Sequence, residues 1–254
     1  FQKFERGEIQ ICTASRPIKE EEDAALKKAG IEYVEVPVAY DGVSIVVNPG
    51  NDWAKDMSVD DLKKAYAANS PVKTWKDLNP AFPAEPVKLY GPSDNHGTYE
   101  YFQEAVLGKK QPFRSDYQAN QEYNAIIQSV AGDKDAIAYV GYNYFAENTD
   151  KVKAVAVGGV IPSDATIADG TYRPLSRPLF VYVAKKAMDK PEVKAFVEFA
   201  LGEGGAAAVK EAKYVPLPAD AIEAVKKRVA AGTTGSAFMN AEAGRSVAQV
   251  LAAK

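Results

Sequence analysis

Leu89-Tyr90-Gly91-Pro92-Ser93-Asp94-Asn95-His96-Gly97-Thr98-Tyr99 is the stretch from which the fold reads most directly. The apolar run Val87–Tyr90 predicts a short strand, a polar turn holding Gly and Pro follows, and a helix is expected from about Tyr99 to Leu107. A strand that passes through a turn into a helix leaves backbone N–H groups pointing outward at the helix N-terminus, here beside the hydroxyls of Ser93 and Thr98. That junction suits a tetrahedral oxyanion. It equally suits an ordinary capped turn. No Gly-Lys-Ser/Thr follows and there is no Gly-x-Gly-x-x-Gly, so the residues give no support to nucleotide hydrolysis or dinucleotide binding.

The same alternation extends in both directions. Strands are expected at Glu8–Cys12, Ile31–Val38, Val43–Asn48, Ala136–Val140, Lys151–Val157 and Pro178–Ala184. The run Val43–Asn48 is almost wholly apolar, the pattern of a strand covered on both faces. Helices are expected over Lys19–Ala29, stopped by Gly30, and over Val59 to about Ala67, capped by Ser58 with Asp60 and Asp61 in its first turn. Others follow at Gln121–Val130, Glu192–Leu201 after Pro191, Gly205–Ala212, Ala219–Ala230 and about Ala243–Ala253. Strands and helices interleaved along the whole length define an α/β protein. No internal repeat, low-complexity tract or Gly/Ser linker interrupts them.

The chain has 254 residues, which at ~150 residues per domain means one large domain or two modest ones. Its 31 Lys+Arg and 34 Asp+Glu give a net charge of −3, without the basic excess of a nucleic-acid binder. One Cys excludes a disulfide within the chain, and one His excludes a multi-histidine metal site. No apolar run reaches the ~20 residues of a membrane-spanning helix. The chain starts Phe1-Gln2-Lys3-Phe4, with neither Met nor a signal-peptide pattern.

Two further junctions offer donors. Cys12-Thr13-Ala14-Ser15-Arg16-Pro17 lies between an expected strand and a helix, and Arg16 brings the planar fork that grips oxyanions and carboxylates alike. Ser176-Arg177-Pro178 leads into an apolar strand, where a structural ion pair is the simpler role for Arg177. Histidine is the usual general base, yet no Ser-His-Asp or Cys-His arrangement can be assembled around His96. Cys12 reads as a buried small residue, and the 14 Tyr, with Tyr139, Tyr142 and Tyr144 among them, as core and cleft wall.

Taken in order, these segments resemble the phosphate-binding proteins of bacterial phosphate ABC importers. The matching stretches are Ala14-Ser15-Arg16-Pro17-Ile18, Ser58-Val59-Asp60-Asp61-Leu62 with Trp75-Lys76-Asp77-Leu78-Asn79-Pro80, Tyr90-Gly91-Pro92 with Gly97-Thr98-Tyr99-Glu100-Tyr101-Phe102, Gln128-Ser129-Val130-Ala131-Gly132-Asp133 with Ala138-Tyr139-Val140-Gly141-Tyr142, Pro174-Leu175-Ser176-Arg177-Pro178-Leu179-Phe180, and Tyr214-Val215-Pro216-Leu217-Pro218. The resemblance implies a two-lobed periplasmic-binding-protein (type II) fold with a ligand cleft between the lobes, residues 1–48 and 184–254 forming lobe I and 49–183 lobe II. It implies a monomer that captures inorganic phosphate outside the cytoplasmic membrane and delivers it to the permease of an ABC importer, with no catalytic residues, metal or cofactor. The ligand set it implies is Ser15, Arg16, Ser93, Asp94, His96, Gly97 and Thr98.

Three departures from the family pattern accompany it. Family members begin with a strand and a Gly-Ser-Ser/Thr phosphate loop, so an N-terminal part of lobe I is expected to precede Phe1. The family turn commonly reads Ser-Gly-Thr, where this chain has His96-Gly97-Thr98, and Arg16 stands where the better-studied branch has an acid. The alternatives are another oxyanion or a phosphorylated small molecule as ligand, or a sensor or enzyme on the same scaffold.

Overall fold

Asp41-Gly42 looks like a turn between two strands, and it is not one. In the computed structural model, which describes residues 1–109, 111–241 and 245–253, the chain from Tyr33 to Val47 is a single strand of 15 residues. Every residue in it except Val38 is buried. Asp41 is tolerated there because the Arg177 guanidinium pairs with it, Nη2 to Oδ2 at 2.8 Å, both side chains deeply buried. Gly42 is there for room: a Cβ would lie 2.6 Å from Ile167 Cδ1.

The strands are β1 (Ile11–Ala14), β2 (Tyr33–Val47), β3 (Asp56–Met57), β4 (Lys88–Pro92), β5 (Gln118–Asn120), β6 (Ala136–Gly141), β7 (Lys153–Val157), β8 (Ser176–Ala184) and β9 (Val215–Pro216). The chain forms two compact units, one of Phe1–Asp41, Ala168–Gly170 and Arg177–Lys254, the other of Gly42–Ile167 and Thr171–Ser176. β2 carries the chain from the first into the second.

In the first unit β1 lies antiparallel to β8, Ile11 opposite Val183 and Ala14 opposite Phe180. β8 neighbours β2, and β2 pairs antiparallel with β9 at Ala39–Pro216. Helices Glu20–Lys28, Pro191–Ala200, Glu203–Glu211 and Ala219–Ala230 stand within two residues of expectation. The start of the last expected helix, Ala243, lies outside the described residues; Val247–Ala252 is helical, and Ser246 Oγ caps it by accepting from the Gln249 amide. β1 begins three residues later than expected, because Gln2–Glu5 forms a helical turn and Gly7 leaves it with a φ of 70°.

In the second unit the far half of β2 pairs antiparallel with β6 on one edge and β7 on the other, which makes it an interior strand of the sheet. β6 runs parallel to β4 and β4 parallel to β5, with Tyr90 opposite Gln118. Helix Tyr123–Ala131 packs Ile126, Ile127 and Val130 onto Val46, Ala136, Ala138 and Val140 of the sheet. Ser58 and Asp61 form a capping box at the helix Val59–Tyr66, Asp61 N to Ser58 Oγ at 3.1 Å. The expected helix Tyr99–Leu107 starts earlier and changes pitch: it is α-helical over Gly97–Phe102 and π-helical over Gln103–Leu107.

A buried carboxylate ties the C-terminal part of the first unit to its sheet. Glu35 on β2 is fully buried and accepts from the Tyr182 hydroxyl at 2.9 Å, the Ser236 hydroxyl, and the amides of Ala237 at 2.8 Å and Phe238 at 3.3 Å. Burial leaves its pKa raised above the ordinary carboxylate value, although the Ser236, Ala237 and Tyr182 donors favour the charged form. Glu35→Ala strips the acceptor from three of these donors, Phe238 N keeping Ser236 Oγ at 3.1 Å, and at ~1 kcal/mol or more for each one left unsatisfied urea unfolding should show a loss of at least about 3 kcal/mol. A raised folded-state pKa means the contribution is whole below the ordinary 4.5 and declines as the pH rises through the folded-state value. The gap between parent and variant is therefore expected to be widest in mild acid and to narrow toward alkaline pH.

Candidate functional site

The turn that follows β4 is built from its backbone. Ser93 N donates to Asn120 O at 3.0 Å, extending the β4–β5 pairing by one bond. Ser93 O accepts from His96 N at 3.1 Å, closing a turn with Asp94 and Asn95 exposed at its tip. Ser93 Oγ donates to Asn95 Oδ1 at 2.8 Å. His96 is extended, φ −99° and ψ 134°, and its carbonyl accepts from Tyr99 N at 3.0 Å, so the helix begins at Gly97. The first amides of a helix point away from its own carbonyls, which aims those of Gly97 and Thr98 out of its N-terminal end, with the Thr98 side chain buried beside them. Hydroxyls, amides and the positive end of a helix converge within six residues.

The His96 ring meets Tyr123 edge-on, centroids 5.0 Å apart at 81°, and Tyr123 stacks on Tyr144 at 4.2 Å. Burial first, and then the Asp94 charge, hold the Tyr99 phenol above its ordinary pKa.

Ser15 and Arg16 sit at a junction of the first unit, between β1 and the helix Glu20–Lys28. Ser15 is half-buried. Arg16 lays its fork on Glu22, Nη1 to Oε2 at 2.9 Å and Nη2 to Oε1 at 2.8 Å, and Nη1 also donates to Pro17 O at 3.1 Å. Its guanidinium lies 5.4 Å from the centre of the Phe1 ring. Glu22 in turn accepts from Lys19 N at 2.8 Å, so one carboxylate caps its own helix and orients the arginine. Burial raises the Glu22 pKa, but the Arg16 hydrogen bond and the Lys19 amide outweigh it and hold the carboxyl below its ordinary value.

The partners of these residues escape a sequence reading. Glu22 is one acid among four in its helix, and Asn120 lies on a strand whose pairing only the sheet reveals. Cys12 is buried and free, and Tyr142 donates to Asp164 Oδ1 at 2.8 Å. No group of three metal-binding side chains occurs among the described residues. No helix among them is long and apolar enough to cross a membrane.

The family model of the PBP superfamily domain matches residues 1–203. The phosphate-binding protein PstS of Staphylococcus haemolyticus is 42% identical over 86% of this chain and 69% of its own length. Among solved structures, a possible phosphate binding protein from Planctomyces limnophilus superposes with a TM-score of 0.75 at 43% identity, over 91% of this chain and 84% of that one. An ABC-type phosphate transport receptor from Vibrio cholerae shares the fold at 20% identity, with a TM-score of 0.72 over 85% of this chain and 83% of that one.

Glu22→Gln is expected to cost about 2 kcal/mol at neutral pH, the scale of charge-assisted hydrogen bonds. Because pairing lowers the Glu22 pKa, this contribution is present above the ordinary 4.5 and is lost as the pH falls through the folded-state value. Denaturant midpoints of parent and variant should differ at neutral pH and converge in strong acid.

Proposed function

The chain belongs to the phosphate-binding proteins of the PBP superfamily, and from that premise we propose that it captures inorganic phosphate outside the cytoplasmic membrane and hands it to the permease of an ABC importer. The observation that carries this is the 42% identity to a phosphate-binding protein across 86% of the chain. The turn after β4 supports it by placing Thr98 and the first amides of a helix beside the polar turn of residues 93–96. In this reading the protein works as a monomer, and its task is binding and release, not turnover. The ligand residues of this reading are Ser93, Asp94, His96, Gly97 and Thr98 in the turn after β4, together with Ser15 and Arg16.

The ion's protonation state gives the site a means of selection. Near neutral pH phosphate keeps at least one proton and sulfate none. A carboxylate such as Asp94 accepts from the former and repels the latter. Asp94 is exposed, so the repulsion is close to its value in water, about 1 kcal/mol for unit charges 4 Å apart.

Calorimetry with phosphate, sulfate and arsenate tests the reading, and saturable binding with phosphate preferred is the expected result. Thr98→Val removes a hydroxyl donor to the anion and should weaken phosphate about tenfold, since a hydrogen bond to a charged group is worth ~1.5–3 kcal/mol. Asp94→Asn should reduce the preference for phosphate over sulfate by about fivefold. A parent protein that binds no phosphate overturns the proposal.

A further inference from the structure

The peptide group by which the chain enters the turn, the one joining Pro92 to Ser93, is held at both ends. Its N–H donates to Asn120 O at 3.0 Å, and its C=O accepts from the Tyr117 hydroxyl at 2.6 Å. Both partners come from one short segment, Tyr117 and the strand β5 that follows it. Since the peptide is planar, two bonds in opposite directions fix its orientation, and with it the direction in which the chain leaves β4.

The donor order behind this clamp follows from proton counting. Tyr117 and Tyr139 hydroxyl oxygens are 2.9 Å apart, and either could donate by geometry alone. The Pro92 carbonyl can only accept, so Tyr117 spends its single proton there and Tyr139 must donate to Tyr117. The relay runs Tyr139 to Tyr117 to Pro92. Burial, the largest influence on each, holds both phenols protonated far above neutral pH.

The rings extend the same hold to the helix. Tyr139 stacks on Phe102, centroids 3.9 Å apart at 7°, and Phe102 lies on the helix that begins at Gly97. Tyr117 stacks on Phe113 at 4.8 Å. Gly91 makes the approach possible, because a Cβ there would stand 2.5 Å from the Tyr117 hydroxyl oxygen and 2.6 Å from Tyr139 Cε1.

We propose that Tyr117 is a positioning residue for phosphate binding: its hydroxyl, oriented by Tyr139, locks the Pro92–Ser93 peptide and so presents the donors of residues 93–98 in a binding geometry before the ion arrives. The proposal rests on the reading of that turn as the phosphate site. Pre-organisation lowers the cost of ordering the loop on binding, so its loss is expected mainly in the rate of ion release.

Tyr117→Phe keeps the ring and its stacking and removes only the hydroxyl. Phosphate titration of the full chain should show Kd raised about tenfold with faster release, while the melting temperature of the ligand-free protein falls by no more than about 4 °C. Tyr139→Phe leaves Tyr117 its proton for Pro92, so the expected rise in Kd is smaller, about two- to threefold. Hydrogen exchange without phosphate adds a readout that ring packing would not move: in Tyr117→Phe the amides of Ser93 and His96 should exchange faster, and those of helix Glu20–Lys28 at the parental rate. Thr98→Val serves as the control for the site itself. If Thr98→Val weakens phosphate and Tyr117→Phe leaves Kd and exchange unchanged, the positioning role is overturned and the site stands. If neither substitution alters a measurable phosphate affinity, the turn is not the site and both fall.

Discussion

A strand of fifteen residues, all but Val38 buried, imposes on β2 a demand for hydrogen-bond partners that the surrounding strands meet. Buried backbone N–H and C=O groups must be paired, and a strand this long needs partners along both edges. β8 and β9 serve its first part, β6 and β7 its second. Each group of strands brings its own helices, so one strand contributes to two compact units. The two polar-looking residues in its middle do not relax this constraint. Asp41 is neutralised by Arg177, and Gly42 gives up a side chain so that Ile167 can reach the backbone.

The same economy of partners shapes the two strand-to-helix junctions. In the turn after β4 the side chains of Ser93 and Asn95 bond to each other, while backbone bonds to Asn120 and Tyr117 determine where the segment goes. A neighbouring strand and an aromatic cluster thus supply the bonds that fix the path of the segment. At the Arg16 junction Glu22 gathers the guanidinium and the Lys19 amide on one carboxylate, which makes the arginine's position a property of the helix behind it. In both places the groups that orient are farther along the chain than those they orient.

Much of this protein was already legible in its residues. Strands alternating with amphipathic helices announced an α/β chain, and punctuation as local as Ser58 with Asp61, Gly30 and Pro191 placed helix ends to within a residue or two. Such signals are local in their physics: a cap is satisfied within four residues, and a periodicity within two turns. The family, too, was visible in the order of short motifs, because a run of residues survives being read without coordinates. What only the tertiary structure decided are the pairings at long range. That Ile31–Val38 and Val43–Asn48 are one strand depends on Arg177 and Ile167, more than a hundred residues away. Asn120 reaches Ser93, and Tyr117 reaches Pro92, only because β5 lies beside β4, and neither segment carries a local sign of that register. A hydrogen bond is paid for by whichever partner the fold brings within 3 Å, and proximity of that kind is set by the packing of whole elements, which no single stretch of sequence contains.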